Sequence, residues 1–498
     1  MSDSSTKKRV ALATLGCKVN QFESAAFLSS LAERGVEVVP FSQEADVYIV
    51  NTCAVTAKAG AQSRRMIRRA LRTNPAARLV VTGCYAQVAS QDILEIVEQP
   101  LCIVGNGFKQ KLVEVALSDG HCDLEMQMGD ISRSREVSPL TVKSFGERTR
   151  AYLRIQDGCN SFCSYCIVPF SRGRSRSQLP DQAVDQARIF ADGGYRELVV
   201  TGIHTGTYGH DLEPATDLVS LLRRLLEECP LRYRISSLDP GEISDELLEL
   251  IAAEKNLLPH LHIPLQSGDD GILAKMHRRY RGEDFAELIG RIRKILPEAA
   301  IGVDVMAGFP GEDERAFQNT YDLLARLPVT YLHVFPYSKR PGTVAASMAG
   351  QVLKQVKDER VAALRELGDR KRQEFYTAHL GEIREVLVEG GGRRKPVTDH
   401  VISHPGLANL PFGKRLQGAG DARHHPAMCT DVHEQADNTA DSVPCNRLRK
   451  PGGLKGFTDN YIPVSFKGAP GLINRLVKVR LDCLDTAGVA GTMVGEER

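Results

Sequence analysis

Residues 151–166 read Ala151-Tyr152-Leu153-Arg154-Ile155-Gln156-Asp157-Gly158-Cys159-Asn160-Ser161-Phe162-Cys163-Ser164-Tyr165-Cys166. Tyr152–Gln156 alternates like a β-strand. At Gly158 it gives way to a polar loop carrying three cysteines spaced C-x3-C-x2-C. Three thiolates in so short a loop can wrap one corner of an iron–sulfur cube, and soft thiolates also suit zinc. A structural zinc site wants a fourth protein ligand, and no Cys or His lies between Cys166 and His204 to supply a local one. Three ligands and no fourth leave one iron open for a substrate. A zinc knuckle completed from elsewhere in the chain is the competing reading.

Downstream of this loop, strand patterns recur at Leu198–Ile203, Arg232–Leu238, Leu261–Leu265, Ile301–Met306 and Tyr331–Pro336, separated by helical patterns. Six βα units predict an open, partial (β/α)6 barrel, since closure would need eight. The cysteine loop follows the first of these strands, at the C-terminal mouth where such folds place chemistry. Upstream, residues 8–117 also alternate strand and helix, which predicts a doubly wound parallel α/β domain. Polar residues 118–148 are expected to be a linker, and 149–380 the barrel with a trailing charged helix. Strands at Glu385–Val388, Gly456–Phe466 and Leu476–Leu481 predict a small β-module over 381–485. Residues 390–453, rich in Gly, Pro, His and Asn, interrupt it as an insertion.

Composition agrees with an α/β enzyme of about three domains. The chain has 498 residues, a formal charge of +2, 42% hydrophobic and 25% charged residues. That balance excludes a basic packaging protein and an acidic disordered tail. Trp is absent and aromatics make up 6%, which argues against wide stacking platforms. Twelve cysteines are too sparse for a disulfide scaffold. No run approaches the ~18 apolar residues of a membrane span, and none suggests a signal peptide. The expected setting is cytoplasmic, with reduced thiols and no membrane.

A second trio lies in the first block: Cys17 in Gly16-Cys17-Lys18-Val19-Asn20, Cys53 in Asn51-Thr52-Cys53 and Cys84 in Thr82-Gly83-Cys84. Each follows a strand and precedes a helix. In a parallel sheet those points share one edge, the crevice where α/β folds bind ligands. Helix N-termini beside them favour thiolate. The trio is either a second cluster site or three unrelated buried cysteines, since Cys is commonly buried. Cys102, Cys122, Cys229 and Cys483 lack this placement and are expected to be core or surface residues.

The C-x3-C-x2-C loop resembles that of the radical S-adenosylmethionine (SAM) superfamily. The resemblance implies a 4Fe–4S cluster on Cys159, Cys163 and Cys166 whose open iron chelates SAM. Reduction then yields a 5′-deoxyadenosyl radical, chemistry that belongs to the cofactor. It further implies Tyr165 near the adenine and Thr201, Gly202 and Ile203 near the amino group. Ser236, Ser237, Gln266 and Asp304 fall at strand ends beside the ribose and carboxylate, and Arg172 faces the carboxylate. Gly308-Phe309-Pro310-Gly311-Glu312 follows the fifth strand similarly.

Two cysteine trios in this order resemble the methylthiotransferase family of radical SAM enzymes. The resemblance also rests on Gly83-Cys84-Tyr85-Ala86-Gln87, on His262-Ile263-Pro264-Leu265-Gln266-Ser267-Gly268 and on Pro336-Tyr337-Ser338. It implies a second 4Fe–4S cluster on Cys17, Cys53 and Cys84, and replacement of an inert C–H by C–S–CH3. Gly16–Asn20 and Thr201–Gly209 look like the branch acting on N6-threonylcarbamoyladenosine, next to the anticodon (position 37) of tRNA. An electron donor such as flavodoxin or ferredoxin and a sulfur donor are then implied. Rival readings are another tRNA adenosine or a ribosomal-protein side chain as substrate, and, in a different class, a non-catalytic iron–sulfur RNA-binding or sulfur-carrier protein.

Two basic features point to RNA. Lys455, Arg475, Lys478 and Arg480 lie in the C-terminal module, which resembles the TRAM domain, an RNA-binding β-barrel; phosphate contacts of this kind need charge alone. Arg64, Arg68 and Arg72, at i, i+4 and i+8, line one helix face. A solvated arginine face and a plain capping module are the bland alternatives. In the insertion, Cys429 and Cys445 stand near His424, His425 and His433, at a spacing that fits no standard zinc finger.

Overall fold

The computed structural model describes residues 7–98, 100–118, 124–146, 148–389, 453–486 and 488–496. Strands β1 (Arg9–Thr14), β2 (Glu37–Val39), β3 (Val47–Thr52), β4 (Arg78–Gly83), β5 (Leu101–Val104) and β6 (Leu124–Gln127) form one sheet in the order β2-β1-β3-β4-β5-β6. All of its pairings are parallel. Every residue of β3 is buried, as expected of a central strand covered by helices on both faces. The strand order reverses beside β1 and β3, the switch point where such sheets open a crevice at their C-terminal ends.

The strand β6 lies inside the segment expected to be a linker. Leu124-Glu125-Met126-Gln127 is too polar to read as a strand, because it is an edge and only half covered. After β4 the chain forms two short helices, Cys84–Val88 and Ser90–Leu94.

The central unit contains β7 (Arg150–Arg154), β8 (Gln156–Asp157), β9 (Arg176–Ser177), β10 (Glu197–Thr201), β11 (Arg232–Ile235), β12 (His260–Gln266), β13 (Ala300–Ala307) and β14 (Tyr331–Pro336). Six of these form two parallel sheets, β11-β10-β7 and β12-β13-β14. The sheets meet where the Leu258 N–H donates to the Tyr233 carbonyl (2.8 Å) and the Leu238 N–H to the His262 carbonyl (3.0 Å). The short antiparallel pair of β8 and β9 brackets the cysteine loop. Leu153, Leu198, Ile235, Ile263, Val303 and Val334 pack into one core beneath the helices. Because strand side chains alternate, the intervening residues face the barrel interior: Arg150, Glu197, Arg234, His260, His262, Asp304, Tyr331 and His333.

The last five strands, β15 (Ile383–Glu389), β16 (Gly453–Thr458), β17 (Pro463–Lys467), β18 (Leu476–Asp485) and β19 (Gly488–Glu496), close into a barrel in the order β15-β16-β17-β19-β18. The strand expected over Gly456–Phe466 is two, broken by a turn at Asp459–Tyr461. The module also extends past 485: glycine-rich β19 gives little strand signal, yet it pairs along β18 and beside β17. The expected insertion lies outside the described residues except for Gly453, which opens β16.

The β16–β17 turn is seated in the N-terminal mouth of the central barrel. The Tyr461 ring stacks on His260 at 4.2 Å, and the Arg234 guanidinium lies 4.8 Å from the Tyr461 ring. Arg234 donates to the carbonyls of Asp459 (3.0 Å) and Thr458 (3.3 Å). Arg150 covers Phe457 at 4.8 Å and pairs with Glu389 at 2.8 Å. Among the described residues no helix is long and apolar enough to cross a membrane.

Candidate active site

The three N-terminal cysteines meet at one sheet edge. Cys17 caps the helix Lys18–Glu33, Cys84 opens the helix Cys84–Val88, and Cys53 leaves β3 before the Thr56-capped helix Ala57–Thr73. A Cβ on Gly16 would stand 2.9 Å from the Cys53 Sγ, and one on Gly83 only 2.4 Å from the Thr52 carbonyl oxygen. Both glycines have positive φ, +97° and +94°, so the cysteines on either side approach only because no side chain intervenes.

Polar side chains lace the strand ends. Asn20 Nδ2 donates to the carbonyls of Leu15 (2.7 Å) and Thr52 (2.9 Å). Asn51 Nδ2 donates to the Asn20 carbonyl (3.0 Å). The Thr52 hydroxyl donates to the Thr82 carbonyl (2.5 Å) and accepts from the Ala86 N–H (3.1 Å). Burial, with the neighbouring Cys84 adding to it, pushes the Cys53 thiol up to about 12. Such thiols bind metal only by releasing protons.

The second loop is set by Gln156, which sequence reasoning missed. Gln156 Nε2 donates to the Gly158 carbonyl (2.7 Å) and Ser175 Oγ (2.8 Å). Its Oε1 accepts from the N–H groups of Ile203 and His204, both at 2.9 Å. One buried amide thus joins the start of the cysteine loop to the Thr201–Ile203 turn. Donors reach all three sulfurs. The Ser161 N–H lies 3.4 Å from Cys159 Sγ, the Val168 N–H 3.4 Å from Cys166 Sγ, and Arg278 Nη1 3.4 Å from Cys163 Sγ.

His204 Nδ1 is 3.6 Å from Cys159 Sγ, and its Nε2 pairs with Glu242. Burial disfavours the His204 imidazolium, but the bonds to Cys159 and Glu242 raise it to about 10. Burial would raise the Cys159 thiol, yet His204 and Ser161 hold it below its ordinary value. Burial pushes Cys166 up to about 12.

The donor sets fit clusters better than single zinc ions. Tetrahedral zinc with Zn–S near 2.3 Å holds its sulfurs about 3.8 Å apart. Among the described residues, the trio of ligand atoms gathered within 4.8 Å is His262, Asp304 and His333, not either set of cysteines. Soft sulfur ligands spread more widely, with N–H donors turned toward them, suit an iron–sulfur cube.

Arg172 ties the two loops together. It is buried, and its Nη1 lies 3.0 Å from Glu23 Oε1 and 2.8 Å from Asp157 Oδ1, while Nη2 donates to Asn20 Oδ1 at 2.5 Å. Expected against SAM's carboxylate, it is instead committed between the two cysteine loops. Lys109 pairs with the same Glu23, and Arg176 with Asp157 at 3.3 Å. Asn106 Nδ2 donates to the Ser171 carbonyl (2.6 Å), and the Ala57 N–H to Ser338 Oγ (2.9 Å). Neither Glu23 nor Lys109 carries a sequence signal of its own; the buried charge pattern appears only once the two units meet.

The other expected contacts divide. Tyr165 packs edge-on to Phe309 at 6.4 Å, against the turn where Glu312 accepts from the Gly308 N–H (2.8 Å). Ser236 is buried and shares a bond with Thr205 (3.2 Å), whereas Ser237 is exposed. Gln266 has φ +66° beside a register shift at the end of β12, a strained conformation of the kind that accumulates at functional sites. Asp304 is held by His262 Nε2 at 2.7 Å and His333 Nδ1 at 3.4 Å. Burial opposes its charge, but His262 and His333 keep it well below the usual carboxylate range.

Lys18 reaches the same surroundings: burial, then Arg150 and Arg234, bring its ammonium down to about 8, with Asp304 and Cys17 acting the other way. Of the basic residues, Arg68, Arg72, Lys455, Arg475, Lys478 and Arg480 are exposed. Arg64 is instead turned onto Tyr85, its Nη1 donating to Tyr85 Oη at 2.6 Å. Cys102 and Cys229 are buried and Cys483 lies on β18, while Cys122, Cys429 and Cys445 fall outside the described residues.

Residues 9–105 match the family described as Uncharacterized protein family UPF0004, and residues 153–324 the Radical SAM superfamily. The chain is 36% identical over 481 residues to the threonylcarbamoyladenosine tRNA methylthiotransferase MtaB of Bacillus subtilis, covering 95% of this chain and 93% of that one. It is 40% identical over 384 residues to the MtaB of Aquifex aeolicus, covering 76% and 93%. It is 34% identical over 392 residues to a tRNA-2-methylthio-N(6)-dimethylallyladenosine synthase of Pelotomaculum thermopropionicum, covering 77% and 87%.

A three-cysteine loop at the open mouth of a partial barrel, locked to a second trio on a parallel sheet, defines a radical SAM enzyme of the methylthiotransferase class, with SAM and two 4Fe–4S clusters as cofactors. The chain belongs to the threonylcarbamoyladenosine tRNA methylthiotransferase family.

Proposed function

We propose that this enzyme methylthiolates N6-threonylcarbamoyladenosine at position 37 of tRNA. In this reading Cys159, Cys163 and Cys166 hold the SAM-binding cluster, and Cys17, Cys53 and Cys84 hold the other. The cofactors, when bound, supply the radical that breaks an unactivated C–H bond and the sulfur and methyl groups that replace it. The observation that carries the reading is the Arg172 bridge, which fixes one trio against the other through Glu23, Asn20 and Asp157. Two reactive centres that must act on one carbon need such rigid placement.

The chain's own residues have definable tasks. Gln156 orders the loop and the Thr201–Ile203 turn as a unit. Ser161, Val168, Arg278 and His204 turn donors toward thiolate sulfur. Tyr165, on Phe309, offers a flat wall suited to an adenine ring, and Ser236 and Gln266 offer polar atoms at neighbouring strand ends. Arg68, Arg72 and the exposed cations of the C-terminal barrel are suited to tRNA phosphates. A flavodoxin or ferredoxin as reductant, a separate sulfur donor and a cytoplasmic setting complete the proposal.

The test is mass spectrometry of tRNA nucleosides from cells with and without the gene. The 2-methylthio derivative of N6-threonylcarbamoyladenosine should vanish in the deletion while its precursor accumulates. Loss of the dimethylallyl derivative instead would move the enzyme to the sister branch, and unchanged tRNA with an altered ribosomal protein would move it out of RNA chemistry.

A further inference from the structure

We propose that Phe162, Phe170 and Arg174 form the docking patch for a one-electron carrier protein with an acidic face, the partner that reduces the cluster on Cys159, Cys163 and Cys166. The proposal rests on the reading of a carrier protein as reductant given above, and names where it binds. The electron has to reach the cysteine loop from outside the chain. One electron leaves the carrier and enters the cluster, and no bond or proton moves with it. Such a partner needs no pocket. It needs a short path, and a surface on the loop itself provides one.

Among the described residues, Phe162 and Phe170 carry the only exposed phenylalanine or tyrosine rings, at 41% and 51%. The two rings touch edge to face, with centroids 6.2 Å apart. Phe162 lies between the first two cysteines of the loop and is bonded directly to Cys163. Its φ is +45°, a left-handed conformation that a bulky side chain rarely adopts and that persists only where the surrounding structure enforces it. Phe170 sits on the helix Val168–Arg172, which begins two residues after Cys166. Backbone contacts knit this surface to the loop. The Cys159 N–H donates to the Gly173 carbonyl (3.1 Å) and the Ser175 N–H to Asn160 Oδ1 (3.2 Å). A Cβ on Gly158 would stand 1.9 Å from the Arg174 carbonyl oxygen. A surface pinned in this way is presented ready-made to a partner.

Charge and size narrow the occupant. Arg172, Arg174 and Arg176 alternate along one stretch. The first and third are buried and paired with Asp157. Arg174 is exposed, with its guanidinium 5.4 Å from the Phe162 ring, and it has no carboxylate partner among the described residues. An apolar centre beside an unpaired arginine suits a protein with an acidic face. Two rings and one guanidinium make a small patch. Transient electron-transfer encounters bury less than about 1,200 Å², whereas permanent subunit interfaces bury far more. RNA is the rival occupant, because bases stack on open aromatic faces. Here Arg174 already lies over Phe162 and the two phenylalanines meet edge to face, which leaves an apolar knob in place of a stacking wall.

The experiment uses the reconstituted full-length enzyme. An acidic flavodoxin and an acidic ferredoxin serve as carriers, and dithionite serves as a reductant that needs no docking. The variants are Phe170→Ser and Arg174→Glu, both at exposed positions. Two quantities are read: the Kd of each carrier for the enzyme, and the rate of SAM cleavage driven by sub-saturating carrier relative to that driven by dithionite. In each variant the Kd of at least one carrier should rise about tenfold, and the relative rate should fall to match. The loss in Arg174→Glu should shrink as salt is raised. Carrier binding and relative rate unchanged in both variants overturn the patch alone. Cleavage that falls equally with carrier and with dithionite also overturns it, since the residues would then only support the loop. Weaker binding of an anticodon stem-loop, with carrier binding unchanged, gives the surface to RNA and overturns it as well. A wild type that dithionite reduces but neither carrier binds overturns the carrier reading and the patch with it.

Discussion

Replacing Arg172 by Met should loosen the joint between the two cysteine loops by a predictable amount. The guanidinium is 1% exposed and touches Glu23, Asp157 and Asn20. Removing one partner of a buried ion pair costs about 3–5 kcal/mol, because the remaining charges stay behind. Here Glu23 keeps Lys109 and Asp157 keeps Arg176, so the low end, about 3 kcal/mol, is expected. A protein of several units does not unfold in one step, so a global melting temperature is the wrong assay. Amide hydrogen exchange, read by mass spectrometry on peptides covering residues 15–33 and 155–176, measures the opening directly. Exchange there should quicken by about two orders of magnitude, with the C-terminal barrel unchanged. Adding Glu23→Gln strands Lys109 as well, so it should deepen the loss by less than it costs in the wild type, since the two sites share one buried ion pair. Exchange within about threefold of wild type in Arg172→Met, or simple additivity in the double variant, would refute the reasoning.

Replacing Cys159, Cys163 and Cys166 together by Ala should cut reconstituted iron from about eight to about four per chain and abolish reductive SAM cleavage. The same change at Cys17, Cys53 and Cys84 should cost a similar share of iron and all thiolation while SAM cleavage persists; iron assay and product chromatography check both. Neutralising Lys455, Arg475, Lys478 and Arg480 should flatten the salt dependence of tRNA binding by about three units. Three is expected rather than four because Arg480 is already paired with Asp482 at 2.8 Å, and titrations at several salt concentrations measure it. Glu197 is penalised by burial, but Arg234, Arg232 and Arg150 hold it below its ordinary value. Its stabilisation is therefore full above about pH 4.3, the unperturbed value, and fades as pH falls through the lowered one. The difference in amide hydrogen exchange between wild type and Glu197→Gln, read at each pH on peptides covering residues 195–201 and 231–236, should shrink below about pH 4.

What was legible in the sequence was whatever depends on neighbours along the chain. The three loops bearing Cys17, Cys53 and Cys84 could be placed on one edge because each strand-to-helix turn is local and parallel sheets align such turns. The C-x3-C-x2-C loop was legible for the same reason. Arg172 was not: the family resemblance implied a ligand contact, and only the approach of Glu23, some 150 positions away, makes it a buried bridge. Gln156 and Arg278 were missed because a lone Gln or Arg carries no periodic signal. The strands β6 and β19 escaped because one is a half-covered edge and the other glycine-rich, so side-chain pattern says little where ladder hydrogen bonds do the holding.

The turn at Asp459–Tyr461 bears on how the chain is made. Arg150, Arg234 and His260 leave the ribosome long before the Phe457, Tyr461 and Asp459 backbone groups that satisfy them. During synthesis the central barrel can form its six strands and its helical coat, but its floor remains an open ring of cations around Glu197. The catalytic unit is therefore completed by a segment translated well after it, and a ribosome-bound chain halted before β16 should present a barrel that folds loosely and invites chaperones. A C-terminal truncation meant only to weaken RNA binding would leave the same ring uncovered, so its effects on catalysis should be read first as an assembly defect.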